Sequence, residues 1–300
     1  MHRLLLATTA IVALSAATPA FAFNILAVTQ VGGVNTGTNY QKDNFGTGGN
    51  TLAGAQIGAG NHIDNGVCTL TVWGNCVAGT PGQNAALLSL NNAFVVQAGV
   101  GNATINRQGA ALLGVNNNVT VQLGALNGSS NSQTALAGVN NNITVQAGLL
   151  NGAATTQVAT GGTNNSLTGQ VGVLNGAATI QSASGGSTNN AAQVQVGALN
   201  GSIVAQNTTG AGNNNAGTLQ VGVANASAVG QNGGNNNAAT IQLGAANGST
   251  TSQNGTNNTA FALQAGAGNS SQVTQTGNGT NWSSVSQLGV GNTFVSHQSN

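Results

Sequence analysis

Polar and apolar residues alternate along most of this chain with a period of two. From Asn116 onward, Asn118, Thr120 and Gln122 occupy one parity and Val119, Val121 and Leu123 the other. The alternation returns at Ile143 and Val145, Leu219 and Val221, Ile241 and Leu243, and Phe261 and Leu263. Runs of this kind, rich in Val, Ile, Thr and Gln and bounded by Gly or Asn as in Leu149-Leu150-Asn151-Gly152, predict short β-strands joined by tight bends. Helix is disfavoured by the glycine density, because each Gly costs about 1 kcal/mol against Ala in a helix interior.

The alternating segment is itself repeated. Three consecutive copies read NNNVTVQLGALNGSSNSQ from Asn116 to Gln133, NNNITVQAGLLNGAATTQ from Asn140 to Gln157 and NNSLTGQVGVLNGAATIQ from Asn164 to Gln181. Each contains Asn, five residues, Gln, one, Gly, two, Asn, five, Gln. The first Gln falls at Gln30, Gln56, Gln97, Gln122, Gln146, Gln170, Gln195, Gln220, Gln242, Gln264 and Gln287, a spacing of 22 to 25 residues after one long interruption. Such a period belongs to solenoids, whose turns bury surface only against their neighbours. The expected fold is all-β, a parallel β-solenoid of 22–25-residue strand-turn-strand repeats. The expected organisation is a signal peptide at 1–22, N-terminal repeats at 23–61, an insertion at 62–90 and a main solenoid of nine repeats at 91–300.

Stacking turns about 4.8 Å apart places each amide over its equivalent. Two columns follow, one of Gln30, Gln97, Gln122, Gln146, Gln170, Gln195, Gln220, Gln242, Gln264 and Gln287. The other holds Asn102, Asn127, Asn151, Asn175, Asn200, Asn225, Asn247, Asn269 and Asn292. A primary amide both donates and accepts, so such a column can hydrogen-bond to itself without end. The bend after the first strand needs positive φ, and Gly99, Gly124, Gly148, Gly172, Gly197, Gly222, Gly244, Gly266 and Gly289 recur there, two residues after the Gln. Two parities of the strand are open. With the amides inside, the first-strand aliphatics form an exposed stripe of the kind that marks association, while Gly128, Ser130 and Ser132 line a more polar outer face. With the aliphatics inside, they form the core.

Composition narrows the function. Aromatic residues are 3% of the 300-residue chain, too few for a thick globular core. Arg3, the apolar stretch Leu4 to Leu14 and Ala20-Phe21-Ala22 read as a secretory signal peptide. After its removal Lys42, Arg107, Asp43 and Asp64 remain and cancel, which excludes a basic nucleic-acid surface. No later stretch is apolar and long enough to span a bilayer as a helix. A titratable pair for acid-base chemistry, the Asp residues of calcium-binding solenoids and the Lys of a phosphate loop are all missing from the repeats, so neither catalysis nor a cofactor is expected.

The insertion carries Cys68 and Cys76, with His62, Asp64, Trp73 and Pro81 nearby. Export favours a disulfide between the two cysteines. A metal site is the sharper alternative, with a spacing that fits no zinc pattern; two free thiols are the third.

The five-point phrase resembles the curlin repeat, the unit of curli, the functional amyloid fibres of Gram-negative biofilms. It is complete at Asn91-Gln97-Gly99-Asn102-Gln108 and in the eight repeats after it, through Asn281-Gln287-Gly289-Asn292-Gln298, and at Asn24-Gln30-Gly32-Asn35-Gln41. The second copy, Asn50-Gln56-Gly58-Asn61, reaches Val67 where its last Gln is due. The resemblance implies a secreted subunit that crosses the outer membrane unfolded through a dedicated channel and self-assembles at the cell surface, with a nucleator as a further partner. Family members commonly carry a Gly-rich secretion segment before the first repeat, whereas here a repeat begins two residues after the expected cleavage site. Alternatives are a nucleator or minor subunit, and a monomeric surface adhesin, which would need capped ends; the last repeat, running to Gln298, leads instead to an open C-terminal edge. An ice-binding Thr array is disfavoured because Thr120, Thr144 and Thr240 share the parity of the amides.

Overall fold

A computed structural model of the chain describes residues 23–39, 41–44, 49–72, 75–81, 83–86 and 89–300, and at 23–24, 42–44, 66–72, 75–81 and 83–86 it describes the backbone alone. The signal peptide expected at 1–22 lies outside the described residues, as does the side-chain chemistry of Cys68 and Cys76.

The expected parallel β-solenoid is the observed fold, and the described residues contain strands and no helix. The first nine strands are β1 (Phe23–Val31), β2 (Thr36–Asn39), β3 (Gln41–Asn44), β4 (Gly49–Ala59), β5 (His62–Val72), β6 (Asn75–Pro81), β7 (Gln83–Ala86), β8 (Leu90–Val100) and β9 (Ala103–Ala111). Sixteen more follow in alternation, from Val115–Ala125 and Gly128–Leu136 to Asn281–Val290 and Thr293–Ser299. The first strands of successive turns form an 11-stranded sheet beginning β1-β4-β8, and the second strands build a 14-stranded one. Stacking follows the repeated phrase: Gln122 lies beside Gln97 on one side and Gln146 on the other, and Gly124 beside Gly99 and Gly148.

The two sheets face each other across a thin interior built from the polar parity. Asn140, Asn142, Thr144 and Gln146 are fully buried, and Ala153, Thr155, Gln157 and Ala159 face them from the second sheet. The aliphatics point outward, with Leu123 and Ile143 nearly half exposed. Burying so many amides is tolerable only if each is hydrogen-bonded, a condition that the columns described below meet. The filling between the columns changes along the axis. Asn106, Asn118, Asn131 and Asn142 form a buried amide network, with Asn118 donating to Asn106 and Asn142 to Asn131, each at 2.7 Å. Further along, Ala191, Val204, Ala216, Val229 and Ala238 occupy the same layer as a small aliphatic cluster.

The long interruption proves to be an excursion within one strand. His62 to Asp64 stack in register between Thr36–Thr38 and Ala103–Ile105. Gln83 stacks between Gln41 and Gln108. Between these two stretches, Gly66 to Pro81 pair antiparallel in a hairpin of β5 and β6 that leaves the sheet. The excursion is therefore narrower than 62–90, and Val67 does not stand where the second copy's last Gln is due. Gln83 takes that place in the backbone register. The sequence spacing hid this because the sixteen residues 66–81 divide one Asn-five-Gln phrase: Asn61, then 62–65, then Gly82, then Gln83.

Candidate functional site: the hydrogen-bonded columns and their ends

Gln30 in the first turn is exposed, and from Gln56 to Gln287 each first-strand Gln is buried, where period two turns its side chain toward the opposite sheet. Its amide can reach the equivalent residues above and below. From Gln56 to Gln287 each Nε2 donates to the Oε1 of the next turn's Gln at 2.7 to 3.0 Å. Gln30 donates in the same sense to Gln56. The second amide proton crosses the interior, from Gln146 to the Gly128 carbonyl and from Gln170 to the Gly152 carbonyl, both at 3.0 Å. One residue type thus ties turn to turn and sheet to sheet.

The Asn column acts on the bend. Asn127 accepts at Oδ1 from the backbone N–H and the Nδ2 of Asn151, both at 3.1 Å. Its own Nδ2 donates to the carbonyls of Leu123 at 3.2 Å and Gly148 at 3.1 Å. The bend glycines close the same corner. Gly172 has φ +127°, and a Cβ there would lie 1.8 Å from the carbonyl oxygen of Gly197. Only glycine fits a backbone approach of this kind.

Three further columns belong to the same system. The second-strand glutamines bond in the same direction, Gln133 to Gln157 and onward at 2.8 Å. The first buried Asn of each repeat forms a column of opposite sense, Asn140 donating to Asn116 at 2.9 Å. An outer ladder runs from Asn92 through Asn117 and Asn141 to Asn237. The recurrent Asn-Asn pair opening the repeats was its signal, since adjacent residues in a strand must face opposite ways.

At the two ends the columns stop. Among the described residues nothing pairs with the outer edge of β1 or of Asn281–Val290. Because the bonds run one way, the ends differ. Gln30 presents an Oε1 that no described turn donates to, and Asn35 a backbone N–H whose equivalents elsewhere are bonded. Gln287 has one amide proton on the Ser270 carbonyl and one to which no described turn offers an acceptor, and Asn292 carries an Oδ1 to which no described turn donates. The last turn is also the most exposed: Leu288 is 73% exposed, against 38% for its equivalent Val221.

The described charged side chains, Asp64 and Arg107, lie outside the columns. Arg107 and Asp64 pair at 3.4 Å on the outer face of the second sheet, where Asp64 also accepts from Thr38. Among the described residues no group of His, Cys, Asp and Glu could hold a metal ion.

Compared with known protein families, residues 244–277 match the curlin associated repeat. Over that stretch the chain is similar to a curlin associated repeat. The matched stretch includes Gln264 of the first-strand column, Gln253 and Gln275 of the second-strand column, Gly244 and Gly266 at the bend, and Asn247 and Asn269 of the Asn column. Its strands continue in register into the turns before and after it, so the curlin phrase and the hydrogen-bonded columns are one pattern. No curated protein matches the chain.

Proposed function

We propose that this chain is the structural subunit of an extracellular fibre of the curli type, in which copies stack end to end and extend the solenoid. One observation carries the reading: the bonds within a column share one direction, so the two ends of the molecule are complementary. Placing the last turn of one copy against the first turn of another sets Gln287 Nε2 opposite Gln30 Oε1 and Asn292 Oδ1 opposite the Asn35 N–H. Placing like ends together sets donor against donor. A contact between unlike surfaces that does not close generates an open filament, and unpaired parallel edges supply the backbone bonds. The curlin repeat supports self-assembly, and both it and the solenoid suit a structural rather than a catalytic role. Export by way of a signal peptide at 1–22 and an outer-membrane channel, with a nucleator as partner, completes the proposal.

The test uses the end glycine. In the free molecule a Cβ on Gly289 would meet nothing nearer than Asn292 Nδ2 at 3.7 Å. In a stack it would meet the carbonyl of the incoming Gly32, as Gly266 now faces Gly289 at 1.9 Å. Wild-type protein from residue 23 onward is expected to form unbranched fibrils with cross-β reflections at neutral pH. The Gly289→Ala variant is expected to fold, with its strain confined to the last turn, and to block elongation at one end when added to seeded wild type. Wild type that stays monomeric for days at high concentration would favour the adhesin instead.

A further inference from the structure

The bend from the first to the second sheet is apolar in every turn. Between the Gln and the Asn lie four residues, Leu-Gly-Ala-Leu at 123–126 or Val-Gly-Val-Leu at 171–174, and in all eleven turns they are drawn only from Gly, Ala, Val, Ile and Leu. Bending does not require this. The opposite corner is apolar at Leu112-Leu113-Gly114-Val115 and Leu136-Ala137-Gly138-Val139, and turns equally well with polar residues at Thr160-Gly161-Gly162-Thr163 and Ser184-Gly185-Gly186-Ser187.

The last of the four residues is informative. Leu126, Leu150, Leu174 and Leu199 all lie in the left-handed region, with φ of 56° to 58°. Their counterparts in other turns are Gly60, Gly101, Gly268 and Gly291, with φ of 64° to 69°. The backbone therefore accepts glycine there without change, while a leucine holds that conformation under strain. Nor does burial account for the leucines, which are 44% to 55% exposed. A strained and half-exposed leucine, placed four times in succession where glycine fits, is a cost that the isolated fold gives no reason for. With Leu123, Val171 and Val173 beside them, these side chains form a continuous apolar ridge along the axis.

We propose that this arc is the lateral contact between filaments, and that its occupant is the same arc of a second copy. The inference rests on the fibre reading given above. The ridge repeats every ~4.8 Å, a spacing that another solenoid of this kind matches side chain for side chain. It contains no charge, so neither repulsion between copies nor attraction to an anionic lipid surface acts on it. Its size also selects this occupant. Eleven turns make a strip about 50 Å long and about 10 Å wide, so one pair of molecules buries about 1,000 Å² in total, the lower limit for a stable interface. Two free monomers hold each other weakly, whereas two filaments add one such contact per subunit and hold firmly.

The experiment replaces Leu126, Leu150, Leu174 and Leu199 together by Gly, with a second variant carrying Asn, which also tolerates the left-handed region. Each is compared with wild type by thermal melting, seeded elongation, negative-stain width distribution and low-speed pelleting of mature fibrils. The expected result is an undiminished melting temperature, wild-type elongation, single filaments in place of bundles and at least a fivefold fall in the pelleted fraction. Unchanged bundles would overturn the proposal. So would a marked fall in melting temperature with bundling retained, which would assign the leucines to the stability of their own stack. Flotation with neutral phosphatidylcholine vesicles, present in wild type and lost in both variants while bundling persists, would assign the arc to lipid. If wild type forms no filaments the fibre reading fails. Sedimentation equilibrium of the monomers then decides the arc alone, by a weak dimer that both variants lose or by no dimer at all.

Discussion

At the scale of the residue, the interior is a set of amides whose value lies in donating and accepting at once. Replacing Gln170 and Gln195 together by Glu keeps the shape and removes that property. Two carboxylates about 4.8 Å apart repel by about 3 kcal/mol at an effective dielectric of about 20, and the Gly152 and Gly176 carbonyls lose their buried donors. Assembly at neutral pH is expected to slow at least tenfold by dye-binding kinetics, while Ser130→Glu on the exposed face does little. The sign of the pH effect is fixed: burial and a like neighbour raise both carboxyl pKa values, so stability lost as pH rises returns on acidification. Equal effects from the inner and outer substitutions would show that the columns do not carry the fold. The bend makes a second test. Gly172→Ala places a Cβ 1.8 Å from the Gly197 carbonyl oxygen and demands φ +127°, so it is expected to cost on the order of 3 kcal/mol in chemical denaturation. Its contrast with Gly289→Ala, where a Cβ meets nothing nearer than Asn292 Nδ2 at 3.7 Å, separates strain in φ from collision between turns.

At the scale of the element, the excursion shows how a repeat tolerates an insertion. Gly66 to Pro81 leave the second sheet between two stretches that remain stacked, Asn61 to Asn65 and Gln83 to Ala86. Gln56 and Gln97 are 41 residues apart, and removing sixteen leaves 25, the spacing from Gln97 to Gln122. Deletion of Gly66 to Pro81 therefore restores Asn61, five residues and Gln83. Since long surface loops change stability little, the deletion variant is expected to keep its β-sheet circular dichroism and to form fibrils without a new lag. If assembly stops even with preformed seeds, the hairpin or its cysteines act in growth and the turns from Asn91 onward are not sufficient.

At the scale of the whole molecule, the solenoid is a one-dimensional object: every turn touches only its neighbours, and the two ends repeat the interface found inside. The charges from residue 23 onward, Lys42, Asp43, Asp64 and Arg107, cancel. Association is then neither steered nor opposed by a net field. Elongation rates measured between about 20 mM and about 500 mM sodium chloride are expected to agree within about twofold, since screening acts only on charge. A steep salt dependence would show that assembly runs through a charged surface rather than through the neutral column ends.

The sequence determined the fold to the extent that the fold is periodic. Period two specified strands, the 22- to 25-residue repeat specified stacking, and the glycine two residues after each Gln specified the bend, because each of these is a local constraint repeated in register. It left undecided which parity faces inward, since both amides and aliphatics can line a sheet. The three-dimensional structure decided this through the narrowness of the gap: two sheets this close accommodate Gln, Asn, Thr and Ala that bond across and along it, and the larger aliphatics remain outside. The place of Gln83 likewise emerged only in three dimensions, because a hairpin divides its phrase and pairing, not spacing, returns the chain to the column. The direction of the columns is tertiary too. A primary amide reads the same either way in sequence, and only the stacked geometry orients its donor toward the following turn.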